Sequence, residues 1–313
     1  MPLIPIVAVV GPTASGKTRL AIDIAQNYGG EVVSADSMQI YQGMNIGTAK
    51  PDKDEMRGIP HHMMDFVNIN SDYSVAQYVK DAHAVIAEIH SRGKLPVLAG
   101  GTGLYVDSLI NNIKFDKTVR SEKLRAELKT IADEKGSEYL LKMLEKFDPQ
   151  TAAALHPNNT GRIIRAIEVY KTTGETMTQM REKSRQTPKI YNACMLGLTF
   201  EDREKLYSRI DERVDQMMKT GLTEEVKNLL DNGAAMNSTA MQAIGYKEIV
   251  EAIQNSEKPE TASEKIKLGT RHYAKRQLTW FRRNKDINWI EASMPYEKIC
   301  QTAFDIIDNS CVI

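Results

Sequence analysis

The stretch Gly11-Pro12-Thr13-Ala14-Ser15-Gly16-Lys17-Thr18 has the spacing G-x-x-x-x-G-K-[ST] of a phosphate-binding loop. In such a loop the backbone N–H groups converge on phosphate oxygens, and the helix that follows adds a favourable dipole at its N-terminus. Lys17 is placed to reach an outer phosphate, and the Thr18 hydroxyl to ligate a bound Mg²⁺. The loop implies a diphosphate or triphosphate ligand without saying which. Two further residues fall where chemistry is done. Asp36 ends a second apolar run, and Thr102 lies in Gly100-Gly101-Thr102-Gly103 after a third. Arg209 and Arg213 stand i,i+4 on one predicted helix face, either as a solvated face paired with Asp211, Glu212 and Asp215 or as anion ligands. His61-His62 invites a metal reading. Adjacent residues do not share a face, and no His or Cys lies nearby at ligand spacing, so a structural or substrate-lining role is expected.

The elements that must position these residues alternate in type. Residues 4–10, 31–36 and 95–99 read as strands, and residues 19–28 and 74–92 as amphipathic helices with Gly29-Gly30 and Gly93 as stops. Strands separated by helices predict a parallel sheet flanked by helices, an α/β fold. Ligands of such sheets sit at the carboxyl ends of the strands, where Gly11, Asp36 and Thr102 all fall. The pattern changes over residues 114–189, where 121–132, 137–147 and 159–173 read as helices with no clear strand between them. This predicts an all-helical insertion, with residues 1–113 and 190–313 forming the core. A returning strand is expected at 191–200. Helices are expected at 201–219, 223–231, 246–254, 262–283 and 296–308, with a short strand at Trp289-Ile290.

The chain has 313 residues, room for a large core or two domains. Its net charge of +0 gives no global sign of a polyanionic partner. Charge is nevertheless uneven. Residues 264–286 hold eight basic and two acidic residues, a net +6, interleaved with Tyr273, Trp280 and Phe281. Such a stretch fits RNA through phosphate contact and stacking, and equally fits a solvated helix whose aromatics face a core. The three scattered cysteines, Cys194, Cys300 and Cys311, argue against a disulfide framework and suit a reducing cytosol. No signal peptide or membrane span is expected, and the chain reads as a monomer.

A phosphate-binding loop serves kinases, GTPases and motor-type ATPases. The guanine-specificity Asn-Lys-x-Asp and an Asp-Glu pair at a strand end are both missing, which leaves a small-molecule kinase among these. A wider set of motifs is more specific. Ser-Ala-Asp-Ser-Met-Gln-Ile-Tyr (34–41), Gly-Thr-Ala-Lys-Pro (47–51), Ile-Pro-His-His (59–62), Gly-Gly-Thr-Gly-Leu-Tyr (100–105), Arg-Ile-Ile-Arg-Ala-Ile-Glu-Val (162–169), Leu-Tyr-Ser-Arg-Ile-Asp-Glu-Arg-Val (206–214), Ala-Ile-Gly-Tyr-Lys-Glu (243–248) and Tyr-Ala-Lys-Arg-Gln-Leu-Thr-Trp-Phe (273–281) follow the loop in order. Together they resemble the bacterial tRNA dimethylallyltransferases (tRNA isopentenyltransferases) over nearly the whole chain.

The resemblance implies transfer of a dimethylallyl group from its diphosphate to the exocyclic amine of the adenosine 3′ to the anticodon. The loop would then hold a diphosphate leaving group, with Gly11, Thr13, Ala14, Ser15, Gly16, Lys17, Thr18 and Arg209 as its ligands and Mg²⁺ on Thr18. Asp36 would take the proton of the amine, a weak nucleophile, unless it only N-caps a helix ahead of Ser37-Met38-Gln39 or supports Mg²⁺. Thr102 would position amine or phosphate. The resemblance also implies tRNA contact by Asp36, Ser37, Met38, Gln39 and Thr102, with the Gln39 amide pairing the extruded adenine. Further tRNA contacts would come from Arg125, Gly161, Arg162, Ile163, Ile164 and Arg165 in the insertion, and from Lys275, Arg276, Arg282 and Arg283. Many family members carry Gln or Arg where this chain has Gly161, a departure that weakens any side-chain contact there. Two rivals remain. A free-adenylate isopentenyltransferase would need neither insertion nor basic region, and an RNA-binding module would lack the catalysis.

Overall fold

Strand β1 (Ile4–Val10) shows why the first apolar run lacks alternation. Ile6, Ala8 and Val10 face one apolar layer and Val7 and Val9 the other, all at 0% exposure. A strand covered on both faces needs apolar residues at every position. The structure, a computed structural model, describes residues 2–115, 121–258 and 261–310, so Cys311 lies outside the described residues.

The remaining strands are β2 (Gly30–Ser34), β3 (His61–His62), β4 (Leu95–Gly100), β5 (Tyr191–Thr199) and β6 (Ile287–Glu291). They form one sheet in the order β3-β2-β4-β1-β5-β6 with every pairing parallel. Val7 of β1 stands between Val97 of β4 and Cys194 of β5. The carboxyl ends of β1, β2 and β4 therefore open side by side, which brings the loop after Val10, Asp36 and Thr102 to one edge.

Helices α1 (Lys17–Asn27), α2 (Lys53–Met56), α3 (Val75–Ser91) and α4 (Gly103–Ile110) belong to the first half. Ser74 and Gln77 cap α3 reciprocally, a device whose loss costs about 1 kcal/mol. Helices α5 (Glu122–Lys135), α6 (Ser137–Glu145), α7 (Pro149–Ala153), α8 (Thr160–Thr173) and α9 (Met177–Arg185) make up the insertion. Helices α10 (Arg203–Thr220), α11 (Leu222–Asp231), α12 (Tyr246–Gln254), α13 (Ala262–Phe281) and α14 (Tyr296–Asn309) complete the chain. One apolar layer sets α1 and α14 on the sheet, the other α3 and α4. A third cluster, including Tyr41, Met44, Val214, Leu222, Val226 and Tyr246, joins the segment after β2 to α10, α11 and α12. Among the described residues no helix is long and apolar enough to cross a membrane.

Two compact units result, Asn111–Pro188 and the rest of the chain. The insertion boundaries thus fall a few residues and one residue before the predicted 114 and 189. Within the insertion Leu128, Leu140, Leu144, Ile163 and Ile167 form the core, each at most 1% exposed. Glu168, also at 0% exposure, accepts from Arg125 Nε at 2.9 Å, Arg165 Nη1 at 2.7 Å and Ser121 N–H at 2.9 Å.

Five elements were not predicted. Helix α4 begins inside Gly-Gly-Thr-Gly, whose glycines read as a turn, and is held by Tyr105, Val106 and Leu109 in the second layer. Strand β3 has two residues at the sheet edge, and α2, α7 and α9 are short or polar, so none carries a readable period.

Candidate active site

The phosphate-binding loop is built as the spacing requires. Ala14 (φ 62°) and Gly16 (φ 92°) are left-handed, curling the backbone ahead of α1. Ala14, Ser15, Gly16, Lys17 and Thr18 line a cavity of about 600 Å³ together with Arg19, Lys50, Arg57 and Arg213, against one carboxylate, Glu55. This surplus of cations suits a polyanion. Lys17 Nζ donates to Pro12 O at 2.6 Å. Burial and then the Arg213 charge lower the Lys17 ammonium to about 7, with Asp36 pulling the other way. Burial likewise lowers the Arg213 guanidinium. Both cations are thus held at a cost that a bound anion would relieve.

Thr13 departs from expectation. Its N–H donates to Gln277 Oε1 at 2.8 Å and is not free for phosphate. Gln277, on α13 and only 5% exposed, also donates Nε2 to Gly101 O at 2.9 Å. One amide therefore ties the loop after β1 to the loop after β4. A Cβ at position 101 would displace Gln277 Nε2, so the glycine leaves this amide its place between the two loops. Gln277 lies within a motif that the sequence singled out, yet nothing in its type distinguished it from its charged neighbours.

A second cavity, about 310 Å³, shares Arg213 with the first. Its lining includes Asp36, Met38, Ile210, Val214, Met217, Leu222, Ile244 and Ile266, with Thr13, Thr270, Tyr273 and Arg276. Asp36 Oδ1 accepts from Met38 N–H at 2.9 Å and Gln39 N–H at 3.4 Å. The predicted capping bonds therefore exist, but in a turn and not a helix. They use Oδ1; no bond to Oδ2 is found among the described residues. Thr102 Oγ1 accepts from Ser37 N–H at 3.0 Å and donates to Ser37 Oγ at 3.2 Å, so Thr102 braces the turn that carries Asp36. Burial followed by the Asp36 charge raises the Tyr273 phenol, with Thr102 and Gln277 pulling the other way. An apolar chamber with one carboxylate thus shares the Arg213 side chain with a cationic chamber.

Several other expected roles change. The Gln39 amide is consumed internally, its Oε1 accepting from Ser34 Oγ at 3.0 Å and its Nε2 donating to Thr48 O and Ala49 O at 3.1 and 3.2 Å. In this structure it braces the loop. Arg213, not Arg209, lies where the two cavities meet; Arg209 stands behind the loop with Ser15, Gly16 and Arg19 in a separate niche. Asp211 and Asp215, offered as partners for Arg209 and Arg213, instead hold Arg271 and Lys267 of α13. Lys275 and Arg276 of α13 are exposed, as are Arg282 and Arg283 just beyond the helix, and Arg276 also lines the apolar cavity. Trp280 donates to Asp107 Oδ2 at 2.6 Å, and Arg283 lies over its ring at 5.7 Å.

In the insertion Ile163 is core, Ile164 is partly buried, and Gly161 and Arg162 are exposed. The Ile163 side chain packs the unit and offers no contact surface. Arg125 and Arg165 are held on Glu168, leaving Arg162 as the more outward charge of the three. His62 Nε2 lies 2.7 Å from Glu31, which also binds Arg92, and His61 Nδ1 lies 2.8 Å from Ile59 O. Both histidines are thus tied into the sheet edge. No cluster of three His, Cys, Asp or Glu able to hold a metal is found among the described residues.

The sequence model of the family described as IPP transferase matches residues 39–284, most of the chain. The chain belongs to the IPP transferase family. Among IPP transferases it is 48% identical over 308 residues to the tRNA dimethylallyltransferase of Caldanaerobacter subterraneus subsp. tengcongensis, covering 97% of this chain and 98% of that one. The full-length tRNA isopentenylpyrophosphate transferase of Bacillus halodurans, a crystal structure, is 41% identical with a TM-score of 0.73, covering 98% of this chain and 96% of that one. A eukaryotic dimethylallyltransferase captured acting on tRNA is 29% identical with a TM-score of 0.80, covering 98% of this chain and 80% of that one. The six-stranded parallel sheet with flanking helices is the IPP transferase core, and it is the α/β architecture that the alternation of strands and helices predicts.

Proposed function

We infer that this chain transfers a dimethylallyl group from dimethylallyl diphosphate to the exocyclic N6 amine of the adenosine 3′ to the anticodon in tRNA, releasing diphosphate. The observation that carries the reading is the pair of cavities that meet at Arg213. The cationic one suits a diphosphate, and the apolar one suits a hydrocarbon with a carboxylate beside it. Relatives 48–50% identical are named as tRNA enzymes, which favours this reading over free-adenylate transfer or a small-molecule kinase.

In the reaction the bond between the allylic carbon and the diphosphate oxygen breaks, and the electron pair leaves with the diphosphate. Lys17, Arg213 and the loop N–H groups meet that growing charge. The N6 lone pair forms the new N–C bond, and the amine proton passes to Asp36. Thr102 and Ser37 hold the turn bearing Asp36 in place. The apolar lining keeps water from the allylic carbon.

Mg²⁺ fits the cationic cavity through Thr18, whose hydroxyl bonds nothing among the described residues. A hard cation commonly takes one or two protein oxygens and fills its shell with water and phosphate oxygens. When bound it would further neutralise the leaving diphosphate. Exposed Arg162, Lys275, Arg282 and Arg283 are the side chains offered to tRNA phosphates. Labelled dimethylallyl diphosphate supplied with unmodified tRNA or with AMP tests the reading. Label is expected in tRNA; label in AMP alone, or phosphoryl transfer without prenyl transfer, would overturn it.

A further inference from the structure

Both cavities depend on one loop, residues 44–51, that has no regular structure. Gly47 and Thr48 line the apolar cavity; Ala49, Lys50 and Pro51 line the cationic one. A segment without a ladder needs partners for its backbone groups. The loop's own bonds, Ala49 N–H to Ile46 O and Lys50 N–H to Asn45 O at 3.0 Å, serve two of its N–H groups, and a single carboxylate from far along the chain serves three more. Glu225, on α11, accepts from Asn45 N–H at 3.0 Å, Ile46 N–H at 2.8 Å and Gly47 N–H at 3.2 Å. Its Oε1 also accepts from the Tyr246 hydroxyl at 2.5 Å. Tyr246 is wholly buried, and its ring lies so close to Gly47 that a Cβ there would collide with it. Three successive N–H groups converging on an anion form a nest, and here the anion is the protein's own side chain.

The opposite side of the loop is held by Gln39, whose amide bonds Thr48 O and Ala49 O while its own N–H bonds Asp36. The bonds thus run from Glu225 through the loop to the turn that carries Asp36.

We propose that Glu225, seated by Tyr246, is the positioning residue that fixes loop 44–51 and thereby sets how the allylic diphosphate lies across the two cavities. It touches neither substrate. Its action is transmitted by the backbone of residues 45–49. This rests on the prenyl-transfer reading given above.

The test is steady-state and single-turnover prenyl transfer by the full chain and by Glu225→Gln and Tyr246→Phe, with tRNA and dimethylallyl diphosphate varied separately. An amide turns an NH₂ toward part of the nest, so Glu225→Gln loses more than one charge-assisted bond. The expected result is a KM for dimethylallyl diphosphate raised about 10-fold or more, since each such bond is worth roughly a factor of ten. The tRNA dissociation constant and the fraction of active molecules in a burst should stay at the parent values. Tyr246→Phe, which keeps the nest bonds, should raise the same KM by a few-fold, and exchange of the amides at 45–47 should quicken in both. A merely structural role gives the reverse pattern: fewer active molecules and a lower Tm with an unchanged KM. That result in Glu225→Gln overturns the proposal. If Glu225→Gln does not fold, an unchanged KM in Tyr246→Phe overturns it instead. Should the parent chain transfer no dimethylallyl group to tRNA, the functional reading fails, and the parent assay registers that failure separately.

Discussion

An Asp36→Asn change separates the two things that Asp36 does. The amide oxygen can still accept the Met38 N–H that Oδ1 accepts now, so the turn should persist. The proton of the prenylated amine then has no carboxylate to receive it. Single-turnover transfer should fall by about 10²-fold or more with tRNA affinity unchanged. A variant within a few-fold of the parent would reassign Asp36 to the turn alone. Lys17 gives a prediction in pH. Burial and Arg213 hold its ammonium near 7 in the free protein, and a bound diphosphate must raise it. Binding therefore takes up a proton between those two values. Affinity should be greatest below about pH 7 and decline above it by up to about tenfold per pH unit, until the bound-state value is passed. Lys17→Arg, whose guanidinium does not titrate in this range, should lose the slope. Equilibrium binding of dimethylallyl diphosphate from pH 6 to 9 checks both, and an equal slope in the variant would exclude Lys17 as its source.

At the scale of elements, the insertion hangs on one buried carboxylate. Burial would push Glu168 up, but Arg125, Arg165 and the Ser121 N–H hold it at about 2 against an ordinary 4.5. The native unit thus prefers the charged form more strongly than the unfolded chain does. The stabilisation is fully present above about pH 4.5 and is lost as pH falls toward 2. Amide exchange in peptides from α5 and α8 should quicken over that window, and Glu168→Gln should show fast exchange already at pH 7. An unchanged protection pattern in Glu168→Gln would deny the cluster this role. These helices were legible from their periods, as was α3, because each buries a regular stripe, and β1 and β4 from short unbroken apolar runs. The strand-end residues Gly11, Asp36 and Thr102 were legible too, since a parallel sheet brings its carboxyl ends together. What could not be read was the use of neutral side chains. Gln39 and Gln277 look alike in sequence, and only the fold shows that both amides brace loops. Glu225 is one acid among several on an amphipathic helix, and its partners lie about 180 residues away.

For the whole molecule, a net charge of +0 conceals where charge is usable. Of the basic residues in the +6 stretch, Arg271 and Lys267 are committed to Asp211 and Asp215, and Arg276 lines the apolar cavity. That leaves five exposed cations: Lys265, which pairs with Glu257, Lys285, and the three read as tRNA contacts, Lys275, Arg282 and Arg283. The sequence count therefore overstates the surface available to a polyanion. Replacing those three with Gln tests whether they face tRNA. Each cation–phosphate pairing removed should flatten the log–log salt dependence of tRNA binding by about 0.7–0.9, so the triple variant should lose roughly 2–3 from the slope. Dimethylallyl diphosphate affinity should hold, because none of the three lines either cavity, whereas Arg276→Gln should disturb transfer itself. A triple variant with the parent's slope would mean that these cations only solvate a helix end. The tRNA footprint would then have to be sought among other exposed cations, beginning with Arg162 in the insertion.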